Sequence, residues 1–257
     1  MFRTIALLVF LITPTIVHAE PLASCTPFFA GGRAPALLNA KLAERTHALC
    51  YRAYAALDSG LTRGPLWSAE HPTAEGLAAA RATTRVNLFH PDDGLPVDDR
   101  AELGDYARSG FDRGHMTPSG DMPDPVAQQQ SFSLGNVVPQ TAQLNRGIWE
   151  RIENAVRNLA RRQGEIYVVT GPAFQDANLQ QIGGRVLVPS STWKAVYLPA
   201  TGDAGAYLCS NTATPVCSLL PVATLAAQIG VDPFPALPQS TKETIGRLPM
   251  PRPSRSR

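Results

Sequence analysis

The sequence predicts an α+β fold, a mixed or antiparallel sheet with helices packed against it. Two observations carry this. Residues 141–163 form the clearest amphipathic run, with Leu144, Ile148, Ile152, Ala155 and Leu159 on one stripe and Gly164 as its stop. After it come four short segments rich in Val, Ile, Tyr and Ala, at 166–169, 185–188, 193–198 and 206–209, which read as strands.

The remaining elements follow in chain order. Arg3, an apolar run from Ile5 to Val17 and the small residue Ala19 have the pattern of a cleaved export leader, residues 1–19. That run is too short and too interrupted by Pro for a membrane span. The periplasm or the exterior is the expected destination. Leu22-Ala23-Ser24-Cys25 offers an alternative, a lipid-modified cysteine, although Glu20 and Pro21 separate it from the apolar core. Residues 20–246 read as a single domain, large enough for one substantial core.

Leu38, Leu42, Leu49 and Ala53 recur at near-helical intervals, so 36–56 is expected to be an amphipathic helix entered at Pro35. A polar, turn-rich stretch to Thr73 and a short alanine-rich helix at 74–81 follow. Residues 85–105, with Pro91-Asp92-Asp93-Gly94, read as extended chain and loop. Residues 106–111 are the expected strand before Asp112, and 116–130 a loop. Residues 136–139 are a short extended piece and 221–229 a helix. The end, 247–257, is a basic Pro-rich tail expected to be disordered.

The four cysteines, Cys25, Cys50, Cys209 and Cys217, all lie beyond the leader, which argues for two disulfides. Proximity favours Cys25–Cys50 and Cys209–Cys217; no Cys-x-x-Cys or clustered His supports zinc. The formal net charge is +2; without Arg3 and the tail arginines 247, 252, 255 and 257 the body is at −3. Net charge therefore does not announce a polyanion binder, and any basic footprint must be local.

The chemistry concentrates in Asp112-Arg113-Gly114-His115, followed by Asn145 and Glu153 on the helical run. A histidine can take a proton from water near neutral pH. A neutral amide oxygen can hold a hard cation that keeps most of its water shell. An arginine can grip phosphate through paired hydrogen bonds. On a straight helix Glu153 would stand about 12 Å along and about 80° around from Asn145, outside any shared inner shell.

Together with Asn136-Val137-Val138-Pro139-Gln140 and Asn145-Arg146-Gly147-Ile148-Trp149, these residues resemble the DNA/RNA non-specific endonuclease family, whose sites are ββα-metal motifs. The resemblance implies an endonuclease acting on DNA and RNA with little sequence preference, and the leader makes it an exported one; the alternatives are a phosphodiesterase restricted to one nucleic acid and an exported nucleic-acid-binding or interaction protein on the same scaffold without catalysis. Its cofactor would be Mg2+, with Mn2+ as the alternative. His115 would be the general base, Asn145 the metal ligand, Arg113 and Arg85 the phosphate grips, and Glu153 a holder of metal-bound water. Asp112 would orient the loop, and Asn136 and Gln140 would support it by hydrogen bonds. Trp149 reads as core, and His47, His71 and His90 as structural. The helix carries Arg146, Arg151, Arg157, Arg161 and Arg162 against Glu150 and Glu153. Arg146, Arg157 and Arg161 are the expected contacts to substrate phosphates; a solvated helix face is the alternative. A homodimer and a dedicated inhibitor protein are left open as partners.

Overall fold

The computed structural model describes residues 22–251. The leader at 1–19 lies outside the described residues, as do the last six positions, 252–257. The strands before the DRGH segment are β1 (Ala36–Leu37), β2 (Thr46–Cys50), β3 (Tyr54–Ser59) and β4 (Gly64–Glu70). Helices α1 (Ala74–Ala82) and α2 (Leu103–Tyr106) precede β5 (Asp112–His115); α3 (Pro125–Ser131), β6 (Val137–Gln140) and α4 (Glu150–Gln163) follow it. The second half runs β7 (Tyr167–Ala173), β8 (Gln181–Ile182), β9 (Val186–Leu187), β10 (Ser191–Leu198), β11 (Asp203–Ser210) and β12 (Cys217–Leu220). Helix α5 (Val222–Ile229), β13 (Val231–Asp232) and α6 (Gln239–Lys242) complete the chain.

A seven-stranded sheet in the order β12-β11-β10-β7-β4-β3-β2 forms the centre, every neighbouring pair antiparallel. Because side chains alternate along a strand, β10 faces two cores. Trp193 and Ala195 join the layer under α5, while Val196 and Leu198 pack with Ile152, Val156 and Leu159 of α4. The expected α+β class is what forms. The helix at 141–163, the strands after it, the helices near 74–81 and 221–229, and both disulfide pairings form as expected. The Cys25–Cys50 bond excludes the lipidated-cysteine alternative. Among the described residues no helix is long and apolar enough to cross a membrane.

The first third departs from expectation. Residues 36–56 are not a helix but β1, a short 3-10 turn at Ala40–Ala43, β2 and the start of β3. The leucines do not share a face: Leu38 is 59% exposed, Leu42 borders the core under α5, and Leu49 joins a separate cluster with Tyr54. Arg45 adopts a left-handed φ of 54° that interrupts helical continuation. Pairing with distant strands then overrides local propensity. The stretch expected to be polar turns holds the end of β3 and all of β4, both strands buried throughout. Pro65 hides β4 from sequence reading, and it is tolerated where the β3–β4 register shifts between Leu57 and Asp58.

Three smaller corrections follow. The strand expected at 106–111 is instead Asp112–His115 itself, and Tyr106 ends α2. The loop at 116–130 contains the start of α3, nucleated by Pro125 in its first turn and by Asp124 accepting from the Val126 and Ala127 N–H groups. The tail is not free from 247 on: Leu248 is buried beside Tyr207, whose hydroxyl donates to the Pro249 carbonyl at 2.6 Å.

Candidate functional site

Strands β5 and β6 pair as an antiparallel ribbon, Asp112 opposite Gln140 and His115 opposite Val137, and the chain then turns into α4. That ββα unit lies on the sheet face that α4 covers. The ribbon needs Gly114, because any Cβ there would collide with the Gln140 side chain. Ahead of α4, Leu144–Trp149 is a π-helical turn, and Gly147 (φ −111°, ψ −115°) leaves helical geometry. The straight-helix spacing between Asn145 and Glu153 therefore does not apply, and both line one pocket of about 650 Å³.

That pocket gathers His115, Asn145, Glu153, Arg85, Arg113 and Asp112, together with Arg146 and Arg157. His115 reaches it edge-on from between two phenylalanines, with ring centroids 5.2 Å from Phe89 and 4.8 Å from Phe132. Its residue is partly accessible, yet Nε2 is buried and has no hydrogen-bond partner. Burial, reinforced by the Arg85 charge, pulls its pKa down to about 3, so the ring is neutral. The same phenylalanines seat the two cations: Arg113 lies 4.4 Å from the Phe89 centroid and Arg85 5.4 Å from Phe132.

Asn145 donates from Nδ2 to Asp112 Oδ2 at 3.0 Å, which turns its Oδ1 away from that carboxylate. Arg146 grips the same carboxylate from Nε (2.7 Å) and Nη2 (2.5 Å). Burial would raise Asp112, but these hydrogen bonds outweigh it and hold the carboxyl below its usual range. Glu153 is pushed up to about 7 by burial, with Lys194 and Arg157 pulling back and Asp121 and Glu150 adding to the rise.

The supporting residues divide. Asn136 is fully buried and satisfied: Oδ1 accepts from Ser68 Oγ and the Thr117 N–H, and Nδ2 donates to the Thr117 and Ser131 carbonyls, all at 2.9 Å. It ties the segment after His115 to β4. Gln140 makes no side-chain hydrogen bond among the described residues and instead fills the space over Gly114, so support by hydrogen bonding is corrected to support by packing.

The arginine track also changes. Arg157 is not a free surface cation; its side chain is 13% exposed and paired with Asp121, with a further bond to Asn154 at 2.6 Å. Arg161 lies outside the pocket lining and donates to Asn158 at 2.9 Å. Trp149 is core. His47 meets Asp99, His71 meets Glu165, and His90 meets the Pro91 and Gln129 carbonyls.

Sequence reading missed three charged residues that interact with the pocket's Glu153: Glu70 and Lys194, which are buried, and Asp121, whose side chain is 7% exposed. The available signal was a lysine at an inward position of an apolar strand, in Trp193-Lys194-Ala195-Val196.

Among the described residues no group of three or more His, Cys, Asp or Glu could hold a metal ion. The donor set at Asn145, one amide oxygen beside an open pocket, instead suits a hard cation that keeps most of its water.

A family model described as DNA/RNA non-specific endonuclease matches residues 37–240. Nuclease C1 of Cunninghamella echinulata var. echinulata is 34% identical over 153 residues, 55% of this chain and 61% of that protein. Nuclease 1, mitochondrial, of Schizosaccharomyces pombe is 32% identical over 155 residues, 55% of this chain and 48% of that one. Human endonuclease G, mitochondrial, is 34% identical over 179 residues, 65% of this chain and 57% of its own. The chain thus spans about half to three fifths of these relatives' length. A crystal structure of an EndoG/EndoGI complex superposes with a TM-score of 0.71 at 27% identity, covering 77% of this chain and 90% of that one.

Proposed function

Because the chain belongs to the DNA/RNA non-specific endonuclease family, we propose that it is an exported, Mg2+-dependent endonuclease that hydrolyses DNA and RNA with little sequence preference. The observation that carries this reading is a neutral, unpartnered His115 Nε2 in the same pocket as two seated arginines and the Asn145 amide. His115 takes the proton of an attacking water. Arg85 and Arg113 hold the phosphate, and their charge offsets the negative charge that builds as the water attacks. Burial is the larger cause of the low imidazole pKa; a phosphate bound beside Arg85 would offset only the smaller one, the Arg85 charge.

Asn145 Oδ1 would hold the cation, with Glu153 turned toward its water shell. Such a cation, when bound there, would supply Lewis-acid stabilisation of the phosphate charge and of the leaving oxygen. Asp112 fixes the Asn145 amide, and Asn136 fixes the chain after His115. The described residues offer no separate base-reading module, in keeping with recognition through the backbone. Export is supported by the leader-like start and by two disulfides, which persist in oxidising compartments; the mitochondrial names of relatives belong to those proteins.

The test is degradation of plasmid DNA and ribosomal RNA by the oxidised protein, with and without EDTA, for the parent and His115→Ala. Both substrates should be cut by the parent with Mg2+ only. Equal cutting by His115→Ala, or cutting unaffected by EDTA, would overturn the reading.

A further inference from the structure

Lys194 is 1% exposed and stands on the α4-facing side of the interior strand β10. Its Nζ donates to Thr170 Oγ1 at 2.6 Å and reaches the Met116 carbonyl at 3.5 Å. It also lies 5.6 Å from the Trp149 ring centroid. An ammonium is costly to bury, and neither hydrogen-bond partner is an anion. A methionine would pack in that place without the desolvation penalty.

The three contacts come from three different parts of the molecule. Thr170 belongs to the neighbouring strand β7 and anchors Nζ to the sheet. Met116 follows His115 directly. Trp149 is four residues after Asn145 and four before Glu153. One cation therefore touches the residue that follows the base-carrying strand and the turn that carries the amide, just ahead of the helix that carries the carboxylate. The charged groups that interact with Lys194 or with one another are Glu70 from β4, Asp121 from the 3-10 turn Ser119–Asp121, and Glu153 and Arg157 from α4, of which Glu153 and Arg157 line the pocket. Lys194 and Arg157 are the two cations that act on both Glu70 and Glu153.

We propose that Lys194 is a positioning residue that sets the spacing between the His115 strand and the Asn145–Glu153 helix and acts on catalysis through Glu153. The proposal rests on the nuclease reading above. Lys194 touches neither substrate nor metal water; it holds the groups that do, and its positive charge offsets part of the negative charge gathered around Glu153.

The experiment is a double-mutant cycle on kcat and KM. Lys194→Met keeps the apolar stem and removes the charge; it should lower kcat by about 10–100-fold, the usual range for groups that orient a metal site, with KM within about threefold. In the Glu153→Gln background the same substitution should cost less than about threefold, because its effect runs through Glu153. Thr170→Val, which removes only the hydroxyl acceptor, should give a smaller loss of the same kind and carries the cycle if Lys194→Met does not fold. Equal losses in both backgrounds, or a rise in KM at constant kcat, would overturn the proposal. If the parent cuts no nucleic acid, the nuclease reading fails by itself. Lys194 is then judged by the NMR signals of the His115 ring: Lys194→Met should displace them and the exposed Lys41→Met should not, and unmoved signals would refute the positioning role.

Discussion

Asp112 accepts one hydrogen bond from Asn145 and two from Arg146, so Asp112→Asn separates two consequences. Arg146 is 72% exposed, and an ion pair with so open a partner is worth at most about 1 kcal/mol. Unfolding stability should therefore fall by no more than about 1 kcal/mol. The bond to Asn145 matters differently, because it fixes which way the amide faces. Replacing the carboxylate with an amide puts an N–H2 where one acceptor stood and lets Asn145 turn over. Loss of such an orienting partner costs about 10–100-fold in metal affinity, which is about 1.4–2.8 kcal/mol of binding. The assay is the Mg2+ concentration for half-maximal plasmid cutting, with Mn2+ binding followed in parallel by electron paramagnetic resonance. A midpoint within about twofold of the parent in both measurements would refute the orienting role.

Lowering pH should act through His115. Its folded pKa of about 3 lies below the ordinary 6.5, so its neutral form stabilises the fold fully above about 6.5. That contribution is lost as pH falls toward 3. Urea unfolding of the parent should thus weaken between those values more than that of His115→Ala; parallel curves would count against a desolvated imidazole. His115→Ala should also lose about 10²–10⁴ in kcat while its thermal melt at neutral pH stays cooperative. The two helix arginines should part company. Arg157→Glu breaks the buried pair with Asp121 and should destabilise by about 3–5 kcal/mol, visible in urea unfolding. Arg161→Glu should leave stability nearly unchanged and flatten the salt dependence of DNA binding, and an unaltered slope would remove Arg161 from the substrate path. Replacing Cys25 and Cys50 with serine should cost about 2–5 kcal/mol, and an unchanged melting temperature would contradict the structural role of that bridge.

The legible parts of this chain share a physical cause: their signal was local. The 141–163 stripe, the Val- and Ile-rich strands and the Asp112–His115 motif announce themselves within a few residues. Both disulfides followed from sequence proximity alone. The first sheet strands did not, because β3 and β4 are buried on both faces and so lack alternation. A proline at a register shift further disguised β4. The leucine spacing at 36–56 was real but served separate clusters. Within the site, residue types were readable and their commitments were not. Arg157 reads in sequence as a cation for substrate, but Asp121, 36 residues away in sequence, pairs with it. Lys194 was hidden for the opposite reason, being a charge in a segment whose neighbours all belong to the core.

The turn at Leu144–Trp149 holds one more residue than an α-helical turn would. An added residue rotates everything on its N-terminal side by about 100° relative to the helix beyond it. Downstream, Ile152, Val156 and Leu159 keep their grip on the sheet; upstream, Asn145 is re-aimed independently. The helix thus behaves as a shaft with a keyed coupling, in which the aim of the amide is set apart from the seating of the rest. Removing one residue from this turn would leave Ile152, Val156 and Leu159 seated but swing Asn145 away from its present aim, and the buried Leu144 with it.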